Sequence, residues 1–213
     1  MTPAERTQEF DRQTGVLVDR GYPQHSGLGE TAFRALLAPL AEKVVILQVS
    51  AGDMETGKLP FVIAVKSELV ATDVQMAAVS KDGRQGVSKL YPRSASDFRV
   101  TADTVLPASP AYLISDIDRG QLNRNLPPNE ALVLIKGKAR LTLTIEEGIA
   151  IATQFPDFLR KNNCYSLLAS RHPGDQRVPA IWINAARQPN LGWCWDGNPH
   201  TWLGSASCAS RTD

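Results

Sequence analysis

The stretch LGWCWDGNPHTWLGSASC, Leu191 to Cys208, gathers three of the chain's four tryptophans, two of its three cysteines and one of its three histidines. These are the residue types here most able to do chemistry or bind a ligand. On a strand, Trp193 and Trp195 share one face and Cys194 points to the other. Asp-Gly at Asp196 signals a tight turn, after which HTWLG would return as a hairpin partner bringing Trp202 near Trp193 or Trp195. Such a wall would stack a flat or cationic ligand, with Asp196, Asn198 and His200 supplying directional hydrogen bonds. The structural alternative is a Trp-rich core offsetting the small residues Ala185, Ala186 and Gly192.

Other chemistry is weaker on spacing. His200 beside Cys194 or Cys208 would form a base and nucleophile pair, but no elbow motif surrounds either thiol. Cys164, Cys194, Cys208 and His200 or His172 would hold a metal only through long-range convergence, since no CxxC occurs. Asp116 and Asp118, two apart in SDIDRG, would put two carboxylates on one strand face toward a hard cation. They read equally as a strand leaving its sheet for a turn. Arg171, Asp175 and Arg177 in SRHPGDQRVP make a polar loop, either solvated or facing an anion. His25 and His172, in Pro/Gly loops, are expected to be plain surface histidines.

No Walker A, GxGxxG after a strand, HExxH or GxSxG is present, which disfavours the chemistries those motifs serve. No cofactor is expected. The 213 residues carry 23 Lys and Arg against 22 Asp and Glu, a net charge of +1. A nucleic-acid binder normally shows a basic excess, so none is expected as partner. No apolar run reaches the length of a membrane span, and the N-terminus lacks a signal core. A cytoplasmic protein with reduced cysteines is expected.

The elements that must position these residues show matched punctuation in two halves, about 5–90 and 128–208, joined by a Pro/Asp-rich segment 91–127. Each half reads as helix, helix, then antiparallel meander. Glu30 opens one helix, Glu146 and Glu147 another. Pro39 and Pro156 should kink or restart them. VVILQV is expected as a strand. KLP at Lys58 and RVP at Arg177 each lead into a strand, FVIAV and AIWI. AYLIS supplies a strand in the joining segment, and Pro127 and Pro128 fit the first turn of a helix. SKDG at Ser80 is a second hairpin signal, making VQMAAVSKDGRQGVSKL the first-half counterpart of the tryptophan stretch. The expectation is one α+β domain over 1–213, pseudo-twofold, with a pocket between its halves by analogy.

The strings TIEEGIAIATQFPDFLRKNNCYSLLASR, RVPAIWI, LGWCWDGNPHTWLGSASC, AYLISDIDRG and GYPQHSGLGETAFRALLAPL resemble an uncharacterised actinobacterial domain-of-unknown-function family. The resemblance covers most of the chain. It implies a bacterial cytosolic setting and no particular activity. The residues favour a non-catalytic binding protein for a small ligand or protein partner, using Trp193, Trp195, Asp196, Asn198, His200 and Trp202. The alternatives are a small-molecule enzyme using Cys194 and His200, and an assembly subunit with the aromatic hairpin as its interface.

Overall fold

The computed structural model describes residues 1–213. Helix α1 (Pro3–Asp19) opens on Thr2, whose hydroxyl accepts from the Glu5 amide while the Glu5 carboxylate accepts from the Thr2 amide. This reciprocal cap satisfies two donors left free at a helix start. A left-handed Gly21 leads into the short α2 (Tyr22–His25). Helix α3 (Glu30–Ile46) then buries Phe33, Leu37, Leu40 and Val44, one face of a 3.6-residue period. That stripe corrects the strand expected at VVILQV. Val44 extends the buried helical face, so the helix runs to Ile46 and Leu47–Val49 lie outside regular structure. Pro39 sits inside this unbroken helix on its exposed side, where water can meet the carbonyl it leaves unpaired.

Strand β1 (Lys58–Val65) is buried almost throughout. Helix α4 (Thr72–Ala78) follows, so the first half has no meander, and VQMAAV is no counterpart of the tryptophan strand. Strands β2 (Ser80–Lys81) and β3 (Arg84–Gln85) form the SKDG hairpin. Asp82 and Gly83 are both left-handed at its tip, with φ of 51° and 74°, as a two-residue hairpin turn demands. Next come β4 (Val87–Ser88), β5 (Arg99–Val100) and β6 (Ala111–Asp118). Helix α5 (Pro128–Gly137) starts on proline. Strand β7 (Leu141–Thr142) precedes α6 (Ile145–Gln154), and Pro156 restarts the chain as a single 3-10 turn. The rest is β8 (Cys164–Ser166), β9 (Ser170–Arg171), β10 (Arg177–Ile183), β11 (Pro189–Trp195), β12 (Leu203–Ser205), β13 (Ser207–Cys208) and β14 (Ser210–Thr212).

These elements make an α+β fold with two principal five-stranded sheets. The first runs β1-β6-β13-β7, with β14 also on β6; the second runs β12-β8-β10-β11-β4. The first sheet is centred on β6, from the joining segment, with β13 and β14 from the chain's end beside it. Strand β4 enters the second sheet beside β11. Strands β7 and β13 of the second expected half thus join the first sheet, and β4 of the first half joins the second. Only β8-β10-β11 is a true antiparallel meander.

Helices α1 and α3 cover one face of the first sheet, where Phe10, Leu17, Phe33 and Leu37 pack with Phe61, Ile63 and Leu113. The open edge of β1 is closed by a side chain. The buried Gln13 amide donates to Phe61 O and accepts from Ile63 N, both at 2.9 Å. It replaces a neighbouring strand at an edge that would otherwise be free to pair. Helix α6 lies between the sheets and is buried nearly all round, as a fully interior helix must be. Its Ile149 shares a core with Val62 and Ile114 of one sheet and Ile181 and Leu191 of the other.

The N-terminus of α6 holds a buried charge. Thr144 and Glu147 form a reciprocal cap, and the wholly buried Glu147 carboxylate also accepts from Tyr112 Oη at 2.9 Å. Arg211 of β14 donates to both Glu147 oxygens, at 2.5 and 2.8 Å, and to Thr142 O. Breaking such a pair on one side strands a charge, whereas removing both is far milder. Glu147→Gln should therefore cost about 3–5 kcal/mol in urea unfolding. The paired Glu147→Leu/Arg211→Met chain should recover most of that loss. Equal losses in the single and paired variants would contradict this role.

Candidate functional site

The aromatic stretch is divided by the second sheet. Strands β10 and β11 pair with Arg177 opposite Trp195, Pro179 opposite Trp193 and Trp182 opposite Asn190. Alternation sends Trp193 and Trp195 to the same side as Leu191 and Ile181, and Trp182 to the other. The first of these sides faces α6, since Tyr165 Oη, level with Ile181, donates to Gly148 O at 2.9 Å.

On the α6 side, at the strand ends, the Trp193 and Trp195 rings meet edge to face with centroids 5.0 Å apart. The Arg177 guanidinium lies over both, 4.4 Å from the Trp193 ring and 4.8 Å from the Trp195 ring. Trp193 Nε1 donates to Tyr91 O at 3.2 Å. Trp195 remains 39% exposed and Tyr91 89%, so the group presents aromatic surface to solvent. Asp175 anchors it. Its carboxylate accepts from the Arg177 amide at 2.8 Å and from the Arg177 guanidinium, with Arg93 Nη2 at 3.4 Å. Burial raises the Asp175 pKa, but the Arg177 hydrogen bonds outweigh it and hold the carboxyl below its usual value. Asp196 stands 3.5 Å from Arg171.

The expected return hairpin does not form. Asp196 and Gly197 do turn the chain, but β12 pairs in parallel with β8, at the sheet's far edge. Trp202 therefore meets Trp182, with ring centroids 6.1 Å apart, and His200, at 5.2 Å, not Trp193 or Trp195. The Trp182 ring fills the space above Gly192, where an added Cβ would lie 2.1 Å from it. The small residue at 192 makes room for a tryptophan that sequence reasoning did not single out. Asn198 is exposed in the turn.

The catalytic pairing fares no better. Cys194 has Ser166 Oγ at 4.0 Å, while His200 packs on Trp202. Burial pushes the Cys164 and Cys194 thiols up to about 11 and Cys208 to about 12. Burial also lowers the His200 pKa. The Asp116 and Asp118 carboxylates are taken by cations of the chain itself. Asp116 accepts from Arg140 at 2.8 Å and Asp118 from Lys58 at 2.5 Å. His172 is no plain surface residue: its side chain is 15% exposed, with Nδ1 3.1 Å from Asp175 and its ring edge-on to Phe98.

Sequence reasoning expected Trp193 and Trp195 on one face, and their rings are in contact, while Asp196 is set against Arg171. It missed Arg177 and Arg93 as their partners, because the register of β10 on β11 and the path of the 91–98 segment carry no local signal. Surface clefts of about 770 and 630 Å³ lie elsewhere, beside the β2-β3 hairpin and between β7 and β14. No helix is long and apolar enough to cross a membrane.

Fold and site together define an α+β protein with an arginine-backed aromatic surface at one sheet end. The chain belongs to DUF5701, a family of unknown function, whose pattern it matches over residues 16–213. No curated protein and no solved structure matches it.

Thiols held this far above neutrality are protonated and poor nucleophiles. None of the three cysteines should react with a thiol reagent in the folded protein at pH 7, and all three should react in denaturant. Rapid native labelling of Cys194 would restore the thiolate mechanism.

Proposed function

We propose that this is a non-catalytic binding protein whose recognition surface is the Trp193 and Trp195 pair backed by Arg177. The supporting observation is the edge-to-face pair at 5.0 Å with one guanidinium over both rings and Trp195 still 39% exposed. Trp, Tyr and Arg are the side chains that most often carry binding energy at recognition surfaces. Rings locked by Arg177 and by the Trp193 bond to Tyr91 O lose little freedom on binding. Asp196, paired with Arg171, lies beside Cys194, whose side chain leaves the opposite side of the ladder. His200 and Trp202 belong with Trp182 on the opposite side of the sheet and pack there.

The position of Arg177 refines the ligand. One face of each ring is already occupied by the protein's own guanidinium. A cationic ligand would meet like charge, so a flat, neutral or anionic partner fits better. A thermal-shift screen of planar aromatic compounds tests this. Hits should raise the melting temperature of the natural chain, vanish with Trp195→Ala and persist with Trp202→Phe. Hits that survive Trp195→Ala, or the absence of any hit, would contradict the reading.

A further inference from the structure

A small cleft opens where the loop after β1, strand β5 and the start of α6 meet. Its volume is about 210 Å³, and it is more enclosed than the two larger clefts. Drug-sized ligands occupy pockets of roughly 300–1,000 Å³, so this one suits a smaller molecule. Part of its lining is apolar, with Phe98 and Tyr112 buried and Leu106 half-buried. No tryptophan lines it.

Four charged residues line the same cleft: Lys66 and Glu68 from the loop, Arg99 from β5 and Glu146 from the first turn of α6. None of them belongs to any ion pair of the chain. The 630 Å³ cleft differs, since its Asp103, Lys136, Arg140 and Arg211 are all paired within the chain. Lys66 Nζ donates to Pro107 O at 2.5 Å and Ala108 O at 3.2 Å, and Glu146 accepts from Thr72 Oγ1 at 2.9 Å. These bonds hold the two side chains without neutralising them. The Arg99 guanidinium donates only to Ser96 O, and the exposed Glu68 carboxylate has no partner. Ser170, buried in the lining, adds a free donor. Its hydroxyl accepts from Ile145 N at 3.0 Å, and its own proton has no acceptor in the chain. A buried polar group normally finds its partners.

We propose that this cleft binds a free α-amino acid with an apolar side chain. Its two cations and two carboxylates sum to no net charge. A ligand of one sign would meet two like charges, whereas a zwitterion finds an opposite charge for each of its ends. Arg99 offers a planar fork that matches a carboxylate, and the Ser170 hydroxyl offers a further donor. Glu68 accepts from the α-ammonium. The apolar side chain packs on Phe98 and Leu106, out of water. The site is separate from the tryptophan pair and does not depend on what that pair binds.

Isothermal titration calorimetry at constant ionic strength tests this with three probes: L-leucine, 3-methylbutylamine, which lacks the carboxylate, and 4-methylpentanoate, which lacks the ammonium. Leucine should bind at least about tenfold more tightly than either, the worth of one charge-assisted hydrogen bond. Arg99→Gln should shrink its advantage over the amine, and Glu68→Gln its advantage over the acid. Both residues are exposed, so each variant removes a charge without disturbing the core. Trp195→Ala should leave leucine binding unchanged. No binding of leucine, or equal binding of all three probes, would overturn the zwitterion site. Advantages that survive in both charge variants, or leucine binding lost with Trp195→Ala, would overturn its assignment to this cleft.

Discussion

The fold depends on one buried carboxylate. Glu147 closes the first turn of α6, the only helix enclosed between the two sheets, and a negative charge there is favoured by the helix's own amide dipoles. Its remaining lone pairs go to Tyr112 of the first sheet's central strand and to Arg211 at the end of the chain. One side chain thus fixes where α6 starts, where β6 lies against it and where the last strand docks. Fully satisfied, such a network specifies a unique arrangement; partly satisfied, it would be costly. With α6 held, both sheets have a surface to pack on, and the second presents its strand ends beyond the helix.

The exposed tryptophan pair is a consequence of that placement. Strands β10 and β11 have their middle residues Ile181 and Leu191 buried against α6. At the strand ends, past the helix, the same side of the ladder carries Arg177, Trp193 and Trp195. These positions keep the alternation of a core-facing strand but lack a cover, so large aromatic rings remain half-exposed and are held by Arg177 instead of by core. The opposite side is filled differently, with Trp182 over Gly192 and Trp202 against Trp182. The four tryptophans therefore serve two purposes although three of them sit within ten residues.

Much of this was legible in the sequence where signals are local. The Asp-Gly turn at Asp82, the strands led by KLP and RVP, the strand at AYLIS and the proline-started α5 all stand as read. VVILQV was not legible, because a short apolar run fits a helix end and a buried strand alike. The tryptophan stretch misled for a different reason. Asp196 and Gly197 do form a turn, but a turn does not choose its partner. Once β12 pairs with β8, Trp202 is carried to the other edge of the sheet. Arg177 belongs to the site only through a register set by pairing over the whole of β10 and β11, which no window of sequence contains.

In the function proposed, the sheet parts the tryptophans and only the Trp193 and Trp195 pair meets ligand. The four indole N–H resonances report this in ¹H–¹⁵N correlation spectra recorded while a planar aromatic hit from the thermal-shift screen is titrated in. Trp193 and Trp195 should shift progressively to saturation while Trp182 and Trp202 stay in place. Saturating shifts at Trp182 and Trp202, or uniform shifts at all four, would contradict it.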